Sequence, residues 1–503
     1  MRISRSTIPF PALACLLLAQ CGADGAGETP KVRPMAVAGT FYPADPKVIE
    51  KTIDGFLAQA AAQPPLDAVA LVVPHAGWEY AGSVAAYSWA SLKGRKIDRV
   101  VIVAPSHYEA FGFASVYDGA AYTTPLGQVP VDRAFAAKLA SMNKLIRLSG
   151  AGHTPSPGKL EHSVEVHLPF LQRVIGQFQL VPIVMGSQDY EVCRAVGVAL
   201  AKMLQGQPNT LIVASSDLSH YHTYDEAVKM DHKTLKGIEE WDYLSMSRNF
   251  DQGIWEACGG GPIIAAMIAS ERLGASQAKV LKYANSGDVP GGDKSRVVGY
   301  GAVAFLKKQN RAAADEPPFS LEASEKQELL NIARQSVETA VQRGKAYEPP
   351  PPASEALNQE RGAFVTLTER GDLRGCIGYT APTKPLYLTV RDVARFAALQ
   401  DPRFHPVAAA ELGKLDYEIS VLSPMRRVMD AKEIVIGTHG LLIRKGRDQG
   451  LLLPQVATEE KWDRAEFLEE VCYKAGLPRG SWQQPDADLF RFTALVFDGA
   501  KAR

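Results

Sequence analysis

Three apolar runs in the sequence each end in a short polar turn that contains a histidine. The segments are LVVPHAGWEY (71–80), VVIVAPSHY (100–108) and LIVASSDLSHY (211–221), which hold His75, His107 and His220. Neutral imidazole is the commonest protein ligand for metal ions, and histidine also exchanges protons near neutral pH. These residue types therefore indicate either a metal centre or an acid–base site.

An acid and a thiol accompany the histidines. Asp217 lies three residues before His220, where its carboxylate either holds the imidazole in one tautomer or caps a following helix. Cys258 opens the helix-like segment ACGGGPIIAAM (257–267), and a helix amino terminus favours the thiolate form that binds metals. A buried, inert cysteine is the alternative for Cys258.

The segment EHSVEVHLPF (161–170) adds two histidines, His162 and His167. A spacing of five does not place two ligands on one helix face, so a second dedicated metal site is not expected. His162, at the start of a predicted helix, can still face the same crevice, which makes it a candidate catalytic residue.

The elements that must position these residues follow from hydrophobic patterning. Strands are predicted at 69–73, 99–104, 179–185, 210–215 and 297–306, separated by amphipathic helical segments. Apolar strands that alternate with helices indicate an α/β domain, predicted over 31–308, with its sheet covered on both faces. Ligands of such sheets bind beyond the carboxyl ends of the strands, where the three histidine turns would meet in one crevice.

A polar, proline-containing linker is predicted at 309–324. After it, a long helix, short strands and interspersed helices predict a smaller α+β domain over 325–500. The 503 residues carry 55 basic and 55 acidic side chains, which gives no reason to expect a nucleic-acid partner. The few cysteines lack CxxC spacing, which argues against a disulfide scaffold.

The amino terminus has the pattern of an export signal, predicted over 1–21. MRISR supplies two arginines, and an apolar core leads to Cys21. LLLAQC resembles the lipobox of bacterial lipoproteins, in which Cys21 would be acylated and anchor the chain to a membrane. The expected location is the periplasm or the membrane as a lipoprotein, or the cytoplasm if the start codon is mis-assigned.

Residues 32–306 resemble the Memo family. The matching stretches include AGTFYPAD, PHAGWEYAG, APSHY, EHSVEVHLPF, SSDLSHY and ACGGGP. The resemblance implies the fold of the LigB-like class III extradiol dioxygenases. It places the metal ligands at His75, His107 and Cys258, and a further pocket histidine at His220. Those dioxygenases hold iron with a glutamate where this chain has cysteine, and a softer thiolate suits copper(I) as well as iron(II).

Residues 325–500 resemble the AMMECR family, through LRGCIGY (373–379), DPRFHPV (401–407), LDYEISVLSP (415–424) and GLLLPQVATEEKWD (450–463). Arg374 next to Cys376 either lowers the pKa of that thiol or packs with it structurally. The pairing of the two modules resembles the bacterial AmmeMemoRadiSam set, which implies a radical-SAM protein as a partner by analogy.

The leading hypothesis is a metal-dependent redox enzyme, a non-haem oxygenase-like protein that binds one iron(II) or copper(I) ion per chain. Its substrate would be an unknown small molecule or peptide, with a phenolic compound as one candidate. His75, His107 and Cys258 would hold the ion, and His220, with Asp217 and His162, would move protons. The alternatives are a non-catalytic copper-, iron- or peptide-binding protein that uses the same crevice, and a metal-free scaffold.

Overall fold

The computed structural model describes residues 31–307 and 319–499. The predicted signal segment, Cys21 and most of the predicted linker lie outside these ranges. Within them the chain forms two domains, each with its own large sheet. Neither range contains a helix that is long and apolar enough to cross a bilayer.

The first domain contains a nine-stranded sheet and a small three-stranded one. Its strands are β1 (Val32–Arg33), β2 (Ala68–Val73), β3 (Arg99–Pro105), β4 (Ala114–Val116), β5 (Ala121–Thr124), β6 (Gly127–Pro130), β7 (Ile146–Leu148), β8 (Gln179–Met185), β9 (Thr210–Ser215), β10 (His220–His222), β11 (Ala275–Asn285) and β12 (Val297–Lys307). The large sheet has the order β10-β12-β2-β9-β3-β8-β4-β7, and β11 pairs with β12. Strands β1, β5 and β6 form the small sheet.

Helices cover both faces of the large sheet. They are α1 (Pro46–Gln59), α2 (Trp78–Ala90), α3 (Arg133–Ala140), α4 (Leu168–Ile175), α5 (Tyr190–Leu204), α6 (Tyr224–Glu239), α7 (Tyr243–Asp251) and α8 (Gly260–Arg272), with 3-10 turns at Glu165–His167 and Ser286–Asp288. Residues 100–104 of β3 and 211–214 of β9 are each 0% exposed, as expected for strands buried on both faces. The predicted α/β class is confirmed.

Four parallel strands, β2, β9, β3 and β8, form the centre of the sheet. Because they run in the same direction, Val73, Ser215 and Pro105 end at one edge, and the three histidine turns follow there. All five strands predicted from apolar runs are present. Strand β11 was not predicted, because exposed polar residues such as Lys279 and Lys282 interrupt its apolar pattern.

The second domain is α+β, also as predicted. Its strands are β13 (Ala363–Glu369), β14 (Asp372–Tyr379), β15 (Leu415–Leu422), β16 (Arg426–Arg427), β17 (His439–Lys445), β18 (Asp448–Leu452) and β19 (Asp488–Asp498). They form an antiparallel sheet of order β14-β13-β15-β19-β17-β18, with β16 beside β19. The helices are α9 (Ala323–Arg343), α10 (Glu355–Asn358), α11 (Leu386–Leu399), α12 (Pro454–Glu459) and α13 (Arg464–Lys474), with 3-10 turns at Ala409–Lys414, Ala431–Glu433 and Ser481–Gln483.

The two domains pack against each other around Asp488, which opens β19 and is 2% exposed. Arg194 of α5 binds its carboxylate, and Arg272 of α8 does so at 2.8 Å. The rings of Tyr243 and Phe490 meet edge to face nearby, with centroids 6.0 Å apart. A buried carboxylate needs such partners, so Asp488 ties the second domain to the helices of the first.

Candidate metal centre

His75 follows β2 directly and is 1% exposed. Its Nδ1 lies 2.7 Å from Ser215 Oγ, which donates its proton to the Ser163 carbonyl at 2.6 Å. A hydroxyl has one proton, so His75 Nδ1 must be the donor to Ser215, and Nε2 carries a free lone pair. Burial, and then the neighbouring histidines, hold the pKa of His75 well below its usual range. The ring is therefore neutral and ready to bind a metal.

His107 follows β3 and is oriented by Glu161. Its Nδ1 lies 3.0 Å from Glu161 Oε1, and its backbone N–H donates to Oε2 at 2.6 Å. Burial alone would raise the pKa of Glu161, but the hydrogen bonds from His107 lower it to about 2. An ionised carboxylate only accepts, so Nδ1 carries the proton and Nε2 is left for a metal. The His107 side chain is 27% exposed and lies at the mouth of the crevice.

His162 lies against both His75 and His107. Its ring stacks on His107, with centroids 4.7 Å apart, and contacts Phe41 on centroids 4.4 Å apart. Its Nδ1 is buried and has no hydrogen-bond partner among the described residues. Burial, and then His107, lower the pKa of His162 to about 4. His162 therefore faces the crevice as a neutral ring with an unused nitrogen.

Cys258 lies on the other side of His75, with Sγ 3.1 Å from His75 Nε2. The backbone N–H of Asp217 donates to the same sulfur at 3.2 Å. Burial, and then the Asp217 carboxylate, raise the pKa of Cys258 well above its usual range, against the expectation that a helix amino terminus would lower it. The residue also precedes α8, which begins at Gly260, instead of lying in its first turn.

Asp217 differs from both of its predicted roles. Its Oδ1 accepts the backbone N–H of His75 at 2.8 Å and that of Ala76 at 3.2 Å, so it fixes the His75 turn. It does not cap a helix, because strand β10 follows. Burial raises the pKa of Asp217 to about 6, against the lowering effect of His220.

His220 opens β10, and its Nδ1 donates to the Leu218 carbonyl at 2.8 Å. That carbonyl, and not Asp217, sets the tautomer and leaves Nε2 as an acceptor. Glu256, to which no sequence pattern pointed, supports the strand: it accepts the His220 N–H at 3.3 Å and lies 3.0 Å from His222 Nε2.

The side chains that could bind a metal form two overlapping groups that share His75. The ligand atoms of His75, His107 and His162 lie within 4.8 Å of one another, and so do those of His75, Asp217 and Cys258. Within the described residues, His107 and Cys258 do not share a group at that distance. The structure thus brings His107 and Cys258, the other two predicted ligands, next to His75, and it adds His162 and Asp217 at ligand distance.

Gln188 holds the Cys258 turn against the sheet. Its amide nitrogen donates to the Cys258 carbonyl at 2.7 Å, and its amide oxygen accepts the Gly261 N–H at 2.6 Å. Gly259 lies against the Ser215 carbonyl so closely that a Cβ there would collide with the backbone. The glycine run therefore allows the turn to bring Cys258 up to the end of β9.

The second candidate pair, Arg374 and Cys376, is not a linked site. Arg374 forms a two-point ion pair with Glu411, at 2.7 and 3.2 Å. The thiol of Cys376 instead accepts a hydrogen bond from Thr366 at 3.3 Å, and burial raises its pKa. The hypothesis that Arg374 activates Cys376 is wrong, since Arg374 is bound by a carboxylate from another element.

Comparison with known proteins matches both domains to families. The Memo-like protein family matches residues 33–304, and the AMMECR1 family matches residues 330–497. A MEMO1 family protein of Methanopyrus kandleri is 36% identical over 287 residues, 55% of this chain and 99% of that protein. One from Sulfolobus acidocaldarius is 35% identical over 289 residues, 54% and 99% of the respective chains.

Among solved structures, an uncharacterized protein of Pyrococcus horikoshii matches 34% of this chain and 89% of its own, with 39% identity and a TM-score of 0.33. For the histidine-bearing domain, the family match extends over more than half of the chain and includes every residue placed around His75. The chain therefore belongs to the Memo family, and an AMMECR1 domain follows its Memo-like domain in the same polypeptide.

Proposed function

We propose that this Memo-family chain is a metal-dependent redox protein that binds one iron(II) or copper(I) ion through His75, His107 and Cys258. Because His107 and Cys258 do not share a group of ligand atoms within 4.8 Å of one another, their side chains would have to move closer together to hold the same ion. The reaction of this protein would be oxygenase-like and would act on a small molecule, for which a phenolic compound is our first candidate. The observation that carries the proposal is the orientation of the two imidazoles. Ser215 and Glu161 each accept a hydrogen bond from the Nδ1–H of one ring, which leaves the Nε2 lone pairs of both rings for a ligand in the crevice.

The contact between Cys258 and His75 supports a metal at this position. The Cys258 thiol lies 3.1 Å from the His75 Nε2 lone pair, so an ion that replaced the thiol proton would meet both atoms. Loss of that proton would turn the pair into a thiolate–imidazole donor set, which suits copper(I) or iron. A bound ion of this kind supplies one-electron and oxygen chemistry that amino-acid side chains lack.

The remaining residues would serve the substrate. His162 offers a further neutral nitrogen beside His107, and the exposed edge of His107 leaves the crevice open to a small molecule. His220 presents Nε2 as a proton acceptor, because its Nδ1 proton is committed to the Leu218 carbonyl. Its role is to take up a proton from the substrate and return it.

The division of roles predicts that His220→Ala keeps the metal and loses turnover. Removal of a proton-transfer group typically slows the reaction by about 10²–10⁴-fold without a change in the ligand set. The measurement is metal content together with oxygen consumption in the presence of catechol-like and phenolic compounds. His232→Ala is the control, because His232 is exposed on α6. Among the described residues its side chain contacts the Val228 carbonyl of its own helix and the Tyr283 ring.

Two outcomes would contradict the assignment. If His220→Ala lost its metal as fully as a ligand variant does, His220 would be a ligand. If the wild-type protein bound a metal but consumed no oxygen with any of these compounds, the chain would be a metal-binding protein without oxygenase activity.

A further inference from the structure

A separate cavity of about 140 Å³ lies between the Memo-like and AMMECR1 domains. The first domain contributes Tyr190, Ser247, Arg248 and Asp251 to its wall, and the second contributes Thr380 and Arg444. None of the residues around His75 lines it. The cavity exists only because the two domains are joined, and its chemistry is distinct from that of the metal centre.

Arg248 is the cation on the first wall. It donates from Nη1 to the Thr380 hydroxyl at 2.9 Å, across the domain junction. Among the described residues it has no ion-pair partner, and none of its nitrogens is both buried and unpaired. Arg248 lines the cavity, and within the described ranges its Nε and Nη2 groups form no other side-chain hydrogen bond.

Arg444 is the cation on the opposite wall. Its guanidinium stacks on the Tyr190 ring, 4.1 Å from the centroid, and lies 3.5 Å from the half-exposed Glu191 carboxylate. Burial, and then the charge of Arg444, lower the pKa of Arg248, and the Asp242 carboxylate opposes this effect. A planar guanidinium held by stacking is pre-organised to bind a carboxylate or phosphate at two points.

The negative charge inside the cavity does not balance these cations. Asp251 is the one carboxylate that lines the described cavity wall. Burial, and then the neighbouring Asp189, raise the pKa of Asp251, against the lowering effect of Arg444. The hydroxyls of Ser247 and Thr380 add neutral hydrogen-bonding groups. The cavity is thus lined by the guanidinium groups of Arg248 and Arg444, which favour the binding of an anion.

We propose that this cavity binds a small organic anion, held by its carboxylate or phosphate group between Arg248 and Arg444. Such a ligand would bridge the two domains, because each supplies one guanidinium. A water occupies about 30 Å³ of liquid, so the volume suits a compact ligand of a few non-hydrogen atoms around the charged group. The proposal does not depend on the metal or on oxygenase activity.

The test uses the full chain and two probes of this size, inorganic phosphate and succinate. Calorimetric titration should find one saturable site per wild-type chain for at least one of them, at constant ionic strength set by chloride. The Arg248→Met and Arg444→Met variants should each bind the probe at least tenfold more weakly, since each loses a two-point, charge-assisted contact. Binding to phosphate but not succinate, or the reverse, identifies which anionic group the ligand carries.

Arg447→Met is the matched control, because Arg447 is exposed in the hairpin turn three residues beyond Arg444. This variant removes the same charge outside the cavity and should keep wild-type affinity. Thr380→Val keeps the shape of the wall and removes the hydroxyl that holds Arg248, so it should weaken binding in a chain that still folds. The proposal is overturned if neither anion binds the wild-type chain, or if Arg248→Met and Thr380→Val both bind as tightly as Arg447→Met.

Discussion

His75→Ala is expected to empty the metal centre, lowering bound iron or copper from about one ion per chain to background. His75 is the residue shared by both groups of ligand atoms, so its loss breaks the histidine set and the thiol set together. Loss of a residue that merely orients a ligand already weakens metal binding by about 10–100-fold, and removal of a central ligand should exceed this. The measurement is metal analysis of protein loaded under anaerobic conditions.

His167→Gln is the informative control for this variant. His167 lies 2.8 Å from the same Ser215 hydroxyl through its Nε2 but belongs to neither ligand group. It should therefore retain most of the metal, even though it disturbs the hydrogen bonds behind His75. Equal metal content in His75→Ala and wild-type protein would contradict the assignment of the centre.

Arg33→Met should strongly destabilise the Memo-like domain. Arg33 and Glu165 form an ion pair at 2.6 Å, with side chains 2% and 0% exposed. Loss of one partner from a buried pair leaves an uncompensated charge and typically costs about 3–5 kcal/mol of unfolding free energy. The Arg33 Nε also donates to the His153 carbonyl at 2.6 Å, and this bond would be lost too.

The comparison variant is Arg173→Met, which breaks an ion pair with Asp54 at 2.9 Å whose side chains are 44% and 51% exposed. Solvent screens such a pair, so its removal should cost less than about 1 kcal/mol. Urea unfolding of both variants measures the difference. An equal loss of unfolding free energy in the two variants would show that the Arg33–Glu165 pair does not anchor the segment that carries Glu161 and His162.

Hydrophobic runs and motifs that lie within one short segment predicted the central strands, the position of the candidate site and the two families. The apolar runs before His75, His107 and His220 indicated parallel strands, and the rule for strand ends placed those turns at one edge of the sheet. The two families were identified from motifs such as PHAGWEYAG and LRGCIGY. These features depend on near neighbours in the chain, where spacing and hydrophobicity are direct signals.

The features that the sequence did not predict depend on distant partners. Ser215 lies 140 residues from His75, and Glu161 lies 54 residues from His107, so their hydrogen bonds leave no local pattern. The spacing of His162 and His167 argued against a second metal site and made His162 only a catalytic candidate. The structure stacks His162 on His107, which comes from another turn, and so brings it to ligand distance. The expected lowering of a thiol pKa was wrong at Cys258, because burial outweighs the nearby helix terminus. It was also wrong at Cys376, where burial raises the pKa and the distant Glu411 binds Arg374.

X-ray absorption spectroscopy of the full chain loaded with iron(II) or copper(I) tests the central claim most directly. We predict one bound ion with imidazole nitrogen and a single sulfur in its first coordination sphere. Cys258→Ser should remove the sulfur signal and leave the nitrogens of His75 and His107. A loaded wild-type centre that contains only nitrogen and oxygen ligands would contradict the role of Cys258 and would favour the set of His75, His107 and His162.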